Sequence, residues 1–284
     1  MPIEIPQAMG ASARRAAIVM GQDLPVWFPI NVQLAGNAQG VKNVIQVDNG
    51  GEFELRSIIA SSTGLFSVTL FNNKLKRPLM PTPINGENIA GTAQQPGFLP
   101  VPWILDRTTI LEAQFNDRSG AGNTIQLCLQ GYTKFTEGVR HDFIPNVLGY
   151  RKAISHVYMP NIAELTQLDG KMPYWWPVFD ATVPAQQAGR NKFTIPDGCY
   201  WTHIVASSSQ AAGFVLQLYD TDRKQIFEDS PTTVSPNHAG SAQRPFWLKK
   251  VYKLPASGQM QCRVINLAPA AANAIQVVLC GVRD

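Results

Sequence analysis

Four stretches of this chain recur in the same order at a nearly constant offset, and this self-similarity limits the possible folds. Pro25-Val26-Trp27-Phe28-Pro29 matches Pro173-Tyr174-Trp175-Trp176-Pro177 at an offset of 148, and Ile58-Ile59-Ala60-Ser61-Ser62 matches Ile204-Val205-Ala206-Ser207-Ser208 at 146. Ala90-Gly91-Thr92-Ala93-Gln94-Gln95-Pro96 returns as Ala239-Gly240-Ser241-Ala242-Gln243-Arg244-Pro245 at 149, with five identities in seven positions. Asn123-Thr124-Ile125-Gln126-Leu127-Cys128-Leu129-Gln130-Gly131 matches Asn273-Ala274-Ile275-Gln276-Val277-Val278-Leu279-Cys280-Gly281 at 150. A fixed period of this kind marks a duplicated structural unit, with loops absorbing the small drift. The chain reads as an arm (1–24), a first unit (25–135), a linker (136–172) and a second unit (173–284).

Within the units, apolar residues alternate with polar ones at period two between Gly-, Asn- and Asp-rich breaks, the pattern of half-buried strands. Strands are expected over 53–59, 66–71, 110–115 and 125–130, and at the matching places 200–206, 214–219, 261–266 and 275–280. Charged residues make up 15% of the chain, and 21 prolines and 22 glycines are spread through it, which fits long exposed helices poorly. The expected fold is all-β: two tandem duplicated antiparallel β-sandwich or jelly-roll domains with an extended N-terminal arm and a long linker. Helix is confined to short candidates at 12–20 and 161–168, the second opening on Asn161 and Glu164 in capping-box spacing.

The formal net charge is +4, and the 24 basic residues are scattered rather than gathered into a stripe, so nucleic acid is not the expected partner. No apolar run approaches the ~18 residues of a bilayer span. Cys128, Cys199, Cys262 and Cys280 have no metal-ligand spacing, and residues 1–10 lack an apolar signal-peptide core, so free core thiols and cytosolic synthesis are expected.

Catalytic chemistry needs a nucleophile with its base, paired carboxylates or a metal cluster within reach of one another. His141, His156, His203 and His238 are dispersed, and no HxH, HExxH, GxSxG or phosphate loop occurs. The runs Ser61-Ser62 and Ser207-Ser208-Ser209 end predicted strands, where a turn role explains them. Asp220 and Asp222 lack the Gly and terminal Glu of a calcium loop and read as another turn. The expectation is a non-enzyme without cofactor or metal. The repeated aromatics Trp27, Phe28, Trp175 and Trp176 could stack on sugar rings; the stronger expectation is that their prolines fix an extended lead-in and the rings bury against the sandwich.

Arm and linker are too apolar for solvated tethers, and they supply the candidate interface: Ile3, Ile5, Arg14, Arg15, Ile18 and Met20 in the arm, and Phe143, Tyr150 and Tyr158 in the linker. A weakly charged surface rich in Asn, Gln, Ser and Thr suits extensive protein contact, because few charges must be desolvated. Duplicated β-sandwich modules, an extended arm and a neutral polar surface together resemble the virion structural proteins of tailed bacteriophages. That resemblance implies a capsid-decorating (cement) protein or a neck, tail or fibre-attachment component. It would be assembled in the host cytoplasm, with other virion proteins and copies of itself as partners and no nucleic acid or membrane. The alternative is a carbohydrate-binding, host-recognising module using the four repeated aromatics.

Overall fold

The computed structural model describes residues 24–47, 51–134, 167–168, 170–195, 198–222, 225–226, 232–234, 241–253 and 258–284. The first sandwich contains β1 (Leu24–Leu34), β2 (Val41–Gln46), β3 (Glu52–Ser62), β4 (Phe66–Asn72), β5 (Arg77–Pro78), β6 (Ile84–Asn85), the single-turn helix α1 (Gly86–Ile89), β7 (Gly97–Leu105), β8 (Ile110–Asp117) and β9 (Asn123–Lys134). The second contains β10 (Met172–Val183), β11 (Ala188–Thr194), β12 (Cys199–Ser208), β13 (Phe214–Asp220), β14 (Gln225–Ile226), β15 (Thr232–Val234), β16 (Phe246–Lys253), β17 (Gln259–Asn266) and β18 (Asn273–Arg283).

All strand pairs are antiparallel, and both sandwiches have the same strand order. One sheet runs β1-β9-β3-β7 and faces β2-β8-β4-β5; the other half repeats this as β10-β18-β12-β16 and β11-β17-β13-β14. This is a jelly roll twice, with chain-distant strands adjacent in every sheet. The alternation has the expected consequence. In β8, Leu111, Ala113, Phe115 and Asp117 are buried while the residues between them are half-buried, and β17 repeats this with Met260, Cys262, Val264 and Asn266. The inward residues form one core per sandwich, with Phe53, Leu55, Val68 and Phe115 in the first and Trp201, Phe214, Leu216 and Val264 in the second. Each such side chain contributes roughly 1.5–3 kcal/mol on full burial.

Ten strands fall where no strand was expected: β1, β2, β7, β10, β11 and β16, and the short β5, β6, β14 and β15. The Pro-x-Trp-aromatic-Pro blocks are not lead-in segments but lie within the edge strands β1 and β10. A proline cannot donate to a ladder, so it is tolerated where one side of the strand has no partner. Pro25 and Pro29, like Pro173 and Pro177, are four apart, so both members of each pair point their donorless nitrogens to the same open edge. Edge strand β7 carries Pro100 and Pro102 in the same manner.

Recurring turn residues close the strand ends. Asp117 accepts from the backbone N–H groups of Asn37, Ser119 and Gly120 and from the Ser119 hydroxyl, tying the β1–β2 turn to the end of β8. These bonds, led by the one from Ser119, lower its carboxyl pKa to about 2. At the matching position Asn266 donates instead, to the carbonyls of Val183, Pro184 and Ala271.

Candidate functional site

The two sandwiches meet edge on face. The segment from Leu79 to Ala90 and strand β7 of the first lie against the outer face of β10-β18-β12 of the second. That face is therefore covered on both sides: Met172, Trp175, Val205, Val278 and Cys280 point away from their own sandwich core and join the core of the first. A polar cluster is enclosed in the seam. The Gln276 side-chain oxygen accepts from the Asn85 backbone N–H at 2.8 Å and the Asn88 amide at 3.2 Å; its nitrogen donates to Pro83 O and to Asp180 Oδ2. The Ser207 hydroxyl accepts from the Asn85 and Asn88 amides at 2.7 and 3.1 Å. Asn85, Asn88, Ser207 and Gln276 are all buried, and Asn88 Oδ1 is shielded from solvent without a partner. Backbone bonds from Trp175 N to Leu79 O and from Ala242 N to Glu87 O extend the seam, and Arg77 donates to the Asp284 carbonyl at its rim.

Groups with chemical potential are used structurally. The hydroxyls of Ser208 and Ser209 donate to Asn273 Oδ1, as Thr63 does to Asn123 in the first sandwich, so these three hydroxyls close strand ends, while Ser207 belongs to the seam. Asp220 accepts from Tyr252 OH and Asp222 N, and Asp222 from Gln259 N, which makes this pair a turn tie. Among the described residues no group of three or more His, Cys, Asp or Glu side chains is placed to hold a metal. Cys128, Cys199, Cys262 and Cys280 are free and buried, and burial raises the Cys128 and Cys280 thiols above their ordinary range.

His203 lies on the covered outer face, its ring centroid 4.5 Å from that of Trp247. The Thr202 hydroxyl lies 2.9 Å from Nδ1 and 3.2 Å from Cys280 O, linking the imidazole to the β18 backbone. Desolvation lowers the pKa of His203 to about 3, and the imidazole is neutral in the folded protein. The unfolded chain takes up this proton near pH 6.5 and the folded one only near 3. Stability is therefore intact above pH 6.5 and falls by roughly 1.4 kcal/mol per pH unit as the pH drops through that window. Urea unfolding at pH 7 and pH 5 should differ by about 2 kcal/mol from this group alone. His203→Phe should remove that difference; an unchanged pH slope in the variant would refute the assignment.

Of the residues singled out from sequence, Ile3, Ile5, Arg14, Arg15, Ile18, Met20, Phe143, Tyr150 and Tyr158 lie outside the described residues, as do the helix candidate at 12–20 and all of the one at 161–168 except Gln167 and Leu168. The four aromatics do not gather into a platform. Neighbours along a strand point to opposite faces: Phe28 turns inward to meet Phe53 edge-on, and Trp176 turns to the second core, whereas Trp27 and Trp175 point outward. Trp27 and Trp175 occupy matching positions in register, opposite Gln130 and Cys280, yet Trp27 is 57% exposed and Trp175, beneath the seam, 5%.

The seam was not foreseen, although β18 carried a signal. Val277-Val278-Leu279-Cys280 is apolar at every position, where the matching Leu127-Cys128-Leu129-Gln130 ends on a polar residue. An unbroken apolar strand is one buried on both faces.

No protein-family model matches this chain, and no curated protein matches it. Among solved structures it is similar to a chain of Sulfolobus Turreted Icosahedral Virus, at 12% identity over 93% of this chain and 94% of that one with a TM-score of 0.24. It is also similar to the secreted serine protease VesC from Vibrio cholerae (9% identity, 89% of this chain, 46% of that chain, TM-score 0.20). A third is the N-terminal CBM22-1-CBM22-2 tandem domain of Paenibacillus barcinonensis Xyn10C, at 9% identity over 91% of both chains with a TM-score of 0.21. None of the three superposes closely enough to define a shared architecture.

Proposed function

We propose that this chain is a non-enzymatic structural subunit of a virus particle, assembling laterally with copies of itself and with neighbouring virion proteins. The observation that carries this reading is the unequal fate of two matching faces. The outer face of β10-β18-β12 is covered by the first sandwich through Trp175, Ser207 and Gln276. The matching face of β1-β9-β3 presents Trp27, Ser61 and Gln126, equivalent in strand position and identical in type, and all three are exposed. The same surface that is bound inside the chain is thus presented outside it. An edge of a neighbouring copy fits there as the first sandwich's own edge fits the second. Such a contact is heterologous, and it propagates into rings or larger arrays.

Two further features support assembly. The sandwiches are locked by a buried seam, as a building block of fixed shape requires, and the chain carries few charges that an interface would have to desolvate. The apolar arm, with Ile3, Ile5, Ile18 and Met20, and the linker, with Phe143, Tyr150 and Tyr158, are assigned contacts to neighbouring subunits. A place on the capsid surface as cement, or in the neck or tail of a phage, rests on the resemblance to tailed-bacteriophage proteins alone.

Sedimentation velocity of the full chain over a range of concentrations tests the reading. Oligomers are expected, and Trp27→Arg should disperse them without lowering the melting temperature. A wild-type protein that stays monomeric throughout, or oligomers indifferent to Trp27→Arg, would overturn it. Trp27 also keeps the carbohydrate reading testable: retention on a glycan array that Trp27→Ala abolishes, from a monomeric protein, would favour that reading instead.

A further inference from the structure

On the second sandwich's other sheet, β11-β17-β13, an open groove of about 230 Å³ is lined by Arg190, Gln217, Tyr219, Gln261 and Arg263. The groove follows from register. Arg190 lies directly opposite Arg263, Arg263 opposite Gln217, and Gln261 opposite Tyr219, while Val264, Cys262 and Leu218 between them point into the core. Like charges directly opposite on adjacent strands repel. Among the described residues no carboxylate comes within ion-pair distance of either guanidinium, and Arg263 Nε is shielded from solvent without an acceptor.

The matching sheet of the first sandwich solves the same positions differently. There Lys42 stands where Arg190 does, opposite Gln114 rather than a second arginine, and Glu112, in the place of Gln261, pairs with Lys42 at 2.7 Å. The first set of three is neutral. The second has lost the carboxylate and gained a cation, so its two guanidiniums call for an anion from outside the sheet.

We propose that this groove binds the carboxylate of an acidic sugar. Two adjacent guanidiniums donate to a carboxylate across both forks. An aspartate or glutamate side chain would satisfy only these, whereas the groove also offers two Gln amides, each donor and acceptor, beside the Tyr219 ring, a set that matches ring hydroxyls and a sugar face. At about 230 Å³, below the usual range for drug-sized ligands, it suits a single terminal residue rather than a polymer.

Titration of the full chain with glucuronate, N-acetylneuraminate, glucose and sulfate, followed by ligand-observed NMR, tests this. Both acidic sugars should bind, more weakly as salt is raised, and glucose should not. Arg190→Gln and Arg263→Gln should each weaken binding at least tenfold, with Lys42→Gln in the first sandwich as the unaffected control. Failure of both acidic sugars to bind, or binding insensitive to the arginine variants, would overturn the proposal. Sulfate binding as tightly as glucuronate would reduce the groove to a simple anion site and overturn the sugar assignment. Loss of self-association in Arg263→Gln without sugar binding would give the groove to a neighbouring subunit's carboxylate instead.

Discussion

Gly281→Ala is expected to destabilise the second sandwich by more than about 4 kcal/mol, beyond the ordinary range for a single substitution. Gly281 lies opposite Trp201, where β12 bulges and Thr202 is left without a partner in the register. The bulge pushes the β12 backbone toward β18, and a Cβ on Gly281 would stand 1.8 Å from the Tyr200 carbonyl oxygen. That neighbour is backbone and cannot swing away, so the strands must part where β18 holds both β10 and β12. Gly131 repeats the arrangement opposite Leu55, with the β3 bulge at Arg56 and a would-be Cβ 1.9 Å from Glu54 O. Gly131→Ala should therefore cost about as much. Gly170 is the control: its φ of +77° strains an alanine by about 1–2 kcal/mol, but nothing lies within 4 Å. Urea unfolding of the three variants decides the matter, and a Gly281→Ala protein no less stable than Gly170→Ala would refute the account.

What the sequence disclosed, and what it withheld, divides along physical lines. Strands in the middle of sheets were legible because one face is core and the other is not, which writes a period of two into Ile110–Asp117 and Phe214–Asp220. Edge strands β1, β7 and β10 were not, because they tolerate prolines that a sequence reading takes as breaks. Six of these residues, Pro25, Pro29, Pro100, Pro102, Pro173 and Pro177, sit inside observed strands. In the first copy of the repeated Ala-Gly-[Thr/Ser]-Ala-Gln-x-Pro block, Gly91 ties the segment to β3. It bonds to Ile58 O and Ala60 N on β3, and a Cβ there would meet the Gln95 carbonyl at 2.0 Å. The turn that follows is held by Thr92, which bonds to Gln95 through both backbone and hydroxyl.

The seam was illegible for a different reason. Gln126 and Gln276 are the same residue at the same strand position, and each reaches across its sheet to β1 or β10, Gln126 to Asn31 and Gln276 to Asp180. Only the element lying over Gln276 distinguishes them, and a local pattern carries no record of what covers a face. The groove was hidden similarly, since Arg190 and Arg263 are 73 residues apart and become neighbours only through the β11–β17 register.

That identity of residue and difference of setting gives the second large effect. Gln276→Ala should cost about 2–4 kcal/mol, while Gln126→Ala, which loses one exposed side-chain bond, should stay within about 0.5 kcal/mol. The asymmetry follows from what is left behind. Truncation at 276 removes the acceptor of the buried Asn85 N–H and of one buried Asn88 donor, and the donor to Pro83 O and Asp180 at the exposed rim of the seam. Orphaned buried groups cost more than the net worth of the bonds they made, and members of one network fail together. Because these bonds join the sandwiches rather than either core, the loss should fall on their coupling. Calorimetry of the wild type should show one transition, and of Gln276→Ala two, with the sandwich cores otherwise intact. A single transition merely shifted downward would place the seam within one cooperative unit that does not depend on Gln276. Equal costs for the two glutamines would mean that the first sandwich does not cover β18 as described.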